Sequence, residues 1–175
     1  MSTPDNAPDV FDLVDEHDAV IGRERRAIIH REGLRHRAVH ILLRNAAGAV
    51  FLQRRAPTKD MNPDCWDSSC SGHVDSGETY DIAAVRELGE ELGIAVALAD
   101  LTPMEKIEAG PGTANEFVQV YRGAHEGPFT LCPKEISDGR FFTPAEIDAQ
   151  IAAAPREFSP AFRYIWGRVG GAFGR

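Results

Sequence analysis

At 175 residues, with 43% hydrophobic and 26% charged content, the chain is long enough to bury one ordinary core and has the balance of a water-soluble domain. A formal net charge of −8 argues against gripping nucleic acid through its phosphates, and no apolar run approaches the roughly 20 residues that span a bilayer. Cys65, Cys70 and Cys132 are an odd number without a CxxC pair, which speaks against a disulfide framework and for a reducing, cytoplasmic setting.

Residues 1–9 (MSTPDNAPD) are polar, lack the basic start and apolar stretch of a leader, and read as a disordered tail. Residues 10–175 carry no internal repeat or dividing linker and read as a single domain. Phe11–Asp15 and Ala19–Arg23 are expected to be short strands around a turn at His17-Asp18. Val39–Arg44 and Ala49–Arg54 flank Asn45-Ala-Ala-Gly48 as a hairpin, with Gly48 in the turn. Residues 56–65 form a loop punctuated by Pro57 and Pro63.

Glu78–Leu92 is the clearest helix, opened by Ser76-Gly77 and closed by Gly93. Ala84, Leu88 and Leu92 give it an apolar stripe. Phe117–Tyr121 and Phe141-Phe142 read as strands. Thr143-Pro144 with Glu146 marks one helix start, and Ser159-Pro160 marks the last. Strands and helices mix without strict alternation, so the fold class is α/β, with a mixed sheet and helices on both faces.

On the central helix Glu87, Glu90 and Glu91 stand at i, i+3 and i+4, on one face. Such a cluster is ordinarily a solvated surface. Its other use is to hold a hard divalent cation, which takes oxygen ligands and is commonly shared with phosphate. Arg86, four residues before Glu90, can pair with it.

From Gly72 the chain reads GHVDSGETYDIAAVRELGEELGI. This resembles the Nudix box over residues 72–94: Gly72, Glu78, Arg86, Glu87, Leu88, Glu90, Glu91, Gly93 and Ile94 fill its nine defined positions. The resemblance implies a Nudix-type α/β/α sandwich. It implies that Glu87, Glu90 and Glu91 coordinate Mg2+ or Mn2+, with the Gly72 carbonyl as a further ligand. Glu78 would anchor the loop to the helix, Gly93 would end it, and Arg86 would orient a ligand. The implied reaction is hydrolysis of a diphosphate bond in a nucleoside diphosphate-X or related small organic diphosphate. Glu90, Glu91 or the loop residue Glu135 would serve as base. The partner is then a small molecule rather than nucleic acid or membrane; many relatives are homodimers.

A second resemblance extends over most of the chain. The segments FDLVDEHDAVIG, LRHRAVHILL, QRRAPTKDMNPDCWDSSCSGH, NEFVQVY and EFSP are similar to the isopentenyl-diphosphate isomerase-like Nudix branch. True isomerases there hold a metal with three histidines and two glutamates and use a catalytic cysteine. His30, His36 and His73 match the histidines and Glu116 one glutamate, while Ala114 replaces the other. Ser71 takes the cysteine's place and Cys70 is shifted by one, which on a strand turns its side chain to the opposite face. A complete acidic box beside an incomplete isomerase set favours the hydrolase. The alternatives are an isomerase-like activity and a Nudix domain that only binds a nucleotide-like ligand.

Arg54 and Arg55 are candidate phosphate clamps, since the guanidinium fork suits phosphate oxygens. Trp66, Phe117 and Tyr121 either line a ligand pocket or pack the core, the latter being their commoner use.

Overall fold

The computed structural model describes residues 9–174, so all of the expected tail except Asp9 lies outside the described residues. Val10–Val14 (β1) and Val20–Arg25 (β2) pair antiparallel as a hairpin separate from the main sheet. Its turn is closed by Asp15, whose Oδ1 accepts from the backbone N–H groups of His17 and Ala19 at 2.8 and 2.9 Å. Asp18, at φ +64°, then ties the hairpin down. Its carboxylate accepts from Arg37 Nε at 2.6 Å, from the Tyr80 hydroxyl at 2.9 Å and from Lys106.

A short helix, Arg26–Glu32 (α1), follows and ends at Gly33 in the left-handed region. The main sheet contains His36–Arg44 (β3), Val50–Arg55 (β4), Trp66–Asp67 (β5), Cys70–His73 (β6), Thr102–Ile107 (β7), Glu116–Ala124 (β8) and Ile136–Phe142 (β9). The main path is β5-β4-β3-β8-β7, with β6 on β3 and β9 on β4. β3 and β8 run parallel in unbroken register from His36↔Glu116 to Arg44↔Ala124.

The hairpin expected of β3 and β4 is paired only at Arg44↔Val50. Beyond that point the strands diverge, and the ribbon of residues 66–73 enters the gap, β5 against β4 and β6 against β3. Ser69 sits at the fork. Its hydroxyl accepts from Leu43 N–H at 2.7 Å and donates to the Phe51 carbonyl, replacing ladder bonds the parting strands would otherwise leave open.

The alternation of β3 sends its residues into two cores. Ala38 and Leu42 pack with Val118, Val120, Phe142, Phe158, Phe162 and Trp166, under the helices Pro144–Ala153 (α3) and Pro160–Val169 (α4). Val39, Ile41 and Leu43 pack with Phe51, Cys70, Ala84, Leu88 and Leu92, under the helix Tyr80–Leu92 (α2). The result is the expected mixed sheet between helical layers. Both later helices are capped as anticipated. Thr143 accepts from Glu146 N–H while Glu146 returns a bond to Thr143 N–H, and Ser159 accepts from Phe162 N–H at 3.1 Å. Each cap contributes about 1 kcal/mol.

α2 begins two residues later than the sequence suggests. Thr79 is the N-cap, accepting from Ile82 N–H at 3.3 Å. Ser76 and Gly77 instead donate to the Asp12 carboxylate of β1, a partner distant in sequence. The helix closes at Gly93 (φ +65°), whose N–H reaches the Gly89 and Leu88 carbonyls. Among the described residues no helix is long and apolar enough to cross a membrane.

Candidate active site

Where β3 and β4 have parted, a cleft of about 670 Å³ opens between the sheet, α1, α2 and the loop before β9. Two groups of chemically active side chains reach it from the two faces of the sheet.

The first comes from α2. Its apolar stripe is fully buried, which fixes the rotation of the helix and turns Glu87, Glu90 and Glu91 to the cleft. Glu91 is only 6% exposed. Its Oε2 accepts from Gln53 Nε2 at 3.0 Å and from Ser71 N–H at 3.3 Å. Glu87 lies against Gly72, where only a residue without a side chain leaves room. Burial, together with the charge of Glu91, pushes the Glu87 carboxyl well above the usual carboxylate range. Burial also raises Glu91, against the hydrogen bonds from Cys70, Gln53 and Ser71 that favour its charged form. Glu90 stands at the rim with its side chain largely in solvent.

Arg86 joins this acid group. It clamps Glu78 with two bonds of 2.8 and 2.9 Å, donates to Glu87 at 2.8 Å and Glu90 at 3.1 Å, and reaches the His73 carbonyl at 3.0 Å. Glu78 also accepts from Asp75 N–H, closing the loop before the helix. Arg86 therefore binds the acids to one another and to β6.

The second group lies on the other face. α1 supplies His30, β3 His36, β6 His73 and β8 Glu116, and one ligand atom from each falls within 4.8 Å of the rest. His30 and His73 approach through their Nε2 atoms at 3.3 Å; His73 Nε2 is 3.1 Å and His36 Nε2 3.3 Å from Glu116 Oε1. Two imidazole nitrogens facing each other beside one carboxylate suit a metal ion, since both can donate lone pairs to it. His36 Nδ1 lies 2.9 Å from the Leu34 carbonyl, which leaves its Nε2 for that role. Burial lowers His30 to about 4 and lowers His73 as well, so both rings stay neutral near pH 7. Burial works against ionisation of Glu116, yet His36 and His73 hold its carboxyl well below the ordinary range. Phe11 of β1 stacks on His73 with ring centroids 4.6 Å apart and closes this side. Of the described residues, this donor set converges more tightly than the acids of α2.

The remaining candidates divide. Ser71 lines the cleft, whereas Cys70 is fully buried in the core under α2, as the alternation of β6 requires. Arg55 lines the cleft between Asp67, at 3.5 Å, and the Met61 carbonyl, at 3.1 Å. Arg54 does not; it lies over the Trp66 ring and pairs with Glu157. Glu135 reaches the cleft and pairs with Lys59. Trp66, Phe117 and Tyr121 are core residues and line no part of the cleft. Sequence reasoning passed over Gln53, Lys59, Asp67 and His40, all of which touch this site or its partners; as single strand and loop residues they carry no motif.

The chain matches the NUDIX domain over residues 34–162. It is 35% identical over 143 residues to a Nudix hydrolase of Deinococcus radiodurans, covering 82% of this chain and 84% of that one. It is equally 35% identical over 153 residues to an isopentenyl-diphosphate Delta-isomerase of Nocardia farcinica, covering 85% and 87%. The crystal structure of a Deinococcus radiodurans protein, 34% identical, superposes with a TM-score of 0.73 and covers 83% of this chain and 90% of its own.

Proposed function

Because the chain belongs to the Nudix family, we propose that it is a Mg2+- or Mn2+-dependent hydrolase that cleaves a diphosphate bond in a nucleoside diphosphate-X or related small organic diphosphate. The observation that carries this reading is the pair Glu87 and Glu91. Both carboxyls are nearly stripped of water beside an open cleft, and their charged forms are costly there without a cation. Glu87, Glu90 and Glu91, with the Gly72 carbonyl, would hold the ion. When bound, a divalent ion neutralises the diphosphate and lowers the pKa of a water beside it.

The chain's own residues do the rest. Gln53 and Ser71 fix one oxygen of Glu91. Arg86, locked on Glu78, keeps Glu87 and Glu90 on the cleft side of α2. Arg55, with both ends of its guanidinium braced, presents positive charge to phosphate oxygens. Glu135 becomes free to act only when Lys59 exchanges it for phosphate.

One observation favours a second reading, an isomerase-like activity: the convergence of His30, His36, His73 and Glu116. The donor set suits a transition metal rather than Mg2+. Against it stand Ser71 in the cleft and the buried Cys70, which together leave β6 without a thiol facing the substrate. The experiment is a Mg2+ assay on a diphosphate panel that includes isopentenyl diphosphate. Released phosphate or nucleotide is followed in parallel with formation of dimethylallyl diphosphate. Metal-dependent cleavage supports the hydrolase; isomerisation without cleavage overturns it.

A further inference from the structure

β3 places one more histidine on the cleft floor. His40 shares its strand face with His36 and Ala38 and lies opposite Ser71 of β6, whose N–H holds Glu91. It is 5% exposed and stands outside the four-donor cluster. Its Nδ1 is 2.7 Å from Ser68 Oγ and 3.7 Å from Asp67 Oδ1. Asp67 is itself fixed by Ser68 N–H at 2.7 Å and by Arg55 at 3.5 Å. The other ring nitrogen, Nε2, has no hydrogen-bond partner among the described residues. Unlike His30 Nδ1 and His36 Nε2, it is not among the sealed, partnerless buried atoms, and His40 is one of the residues that line the cleft.

In the tautomer protonated at Nδ1, that proton is donated to Ser68 Oγ with the Asp67 carboxylate close by, and Nε2 is left as an acceptor. Burial lowers the proton affinity of the ring, so it enters a reaction neutral. The carboxylates of the cleft already have partners, Glu87 and Glu90 being bonded to Arg86. One Glu91 oxygen already holds two donors, and Glu135 is paired with Lys59.

We propose that His40 is the catalytic base of this chain, taking a proton at Nε2 from the water that attacks phosphorus. The proposal rests on the hydrolase reading above. In the step an O–H bond of water breaks, its proton passes to Nε2, and the freed electron pair forms the new bond to phosphorus. The bridging P–O bond breaks on the opposite side, and its pair leaves on the departing fragment. Asp67 stabilises the imidazolium until the proton is returned to that fragment or to solvent.

The test uses the full chain with Mn2+ and a diphosphate that the wild type cleaves. His40→Gln and His40→Ala are expected to lose about two to four orders of magnitude in kcat, with KM and Mn2+ affinity by EPR within about threefold of wild type. Added imidazole is expected to restore part of the rate to His40→Ala and none to His40→Gln. Near-normal kcat, Mn2+ affinity that falls in step with kcat, or no imidazole response overturns the proposal. If the variants fail to fold, a titration of the wild type with methylenediphosphonate decides. The ring-nitrogen resonances of His40 are expected to move, and their constancy at saturation overturns the proposal. A wild type that cleaves nothing on the panel overturns the hydrolase reading instead.

Discussion

A β-carbon placed on Gly72 would fall 2.1 Å from the carboxyl carbon of Glu87, so the two residues occupy each other's space. The glycine is required by the neighbouring acid rather than by its own backbone. Gly72→Ala is expected to push Glu87 out of place and weaken Mn2+ binding by roughly 10- to 100-fold, the range for lost support of a metal ligand. EPR titration measures this. An alanine variant with unchanged affinity would show that Glu87 holds no ion.

Glu91→Gln keeps the shape of the side chain and removes its charge. Turnover is expected to fall by roughly two to four orders of magnitude at saturating Mg2+. Circular dichroism confirms that the variant is folded before the rate is measured. Near-normal turnover would sink the role assigned to Glu91.

Metal removal should make stability depend on pH in a defined direction. Glu87 and Glu91 are raised above 4.5, so the folded state binds their protons more tightly than the unfolded chain does. Their contribution is greatest at low pH and is lost as pH rises through neutrality. His30, His40 and His73 are lowered and act oppositely, an effect that fades as pH rises past their ordinary value of 6.5. Between about pH 6.5 and 8 the acids therefore prevail, and chelator-treated protein should lose Tm. Mg2+ or Mn2+ should flatten this decline by binding the native carboxylates. A chelated protein whose Tm is flat over that interval contradicts the argument.

The histidine cluster makes a separate prediction. Protein purified without chelator is expected to carry a transition metal, and His73→Ala to lose it. Glu91→Gln should retain it, because Glu91 is not among the four donors. Elemental analysis of the three proteins distinguishes these outcomes, and a wild type devoid of transition metal removes the second site.

Much of this was legible in the chain because its signals are local. The acidic stretch of α2, its terminal glycine and the caps at Thr143 and Ser159 depend on residues a few positions apart. What escaped depends on distant partners. α2 starts at Thr79 because Asp12 draws Ser76 and Gly77 away. β3 and β4 part because the ribbon around Ser69 takes the bonds they would have shared. Arg54 and Arg55 look alike in sequence, but β4 has a register shift between them, and only Arg55 lines the cleft. Trp66, Phe117 and Tyr121 had either use open to them; the depth of the two cores assigned all three to packing. His30 and His36 are brought together because α1 ends at Gly33, just before β3 begins.

The divergence of β3 and β4 also gives the protein a kind of modularity. The carboxylates hang from α2 over one face of the sheet, and the imidazoles stand on the other. Their donor atoms come from different elements, and they are joined where Arg86, which holds Glu87 and Glu90, also bonds the His73 carbonyl of β6. Each group can therefore be altered at positions that contribute no donor atom to the other. Relatives equally similar to this chain yet bearing the names of a hydrolase and an isomerase are what such a divided architecture permits.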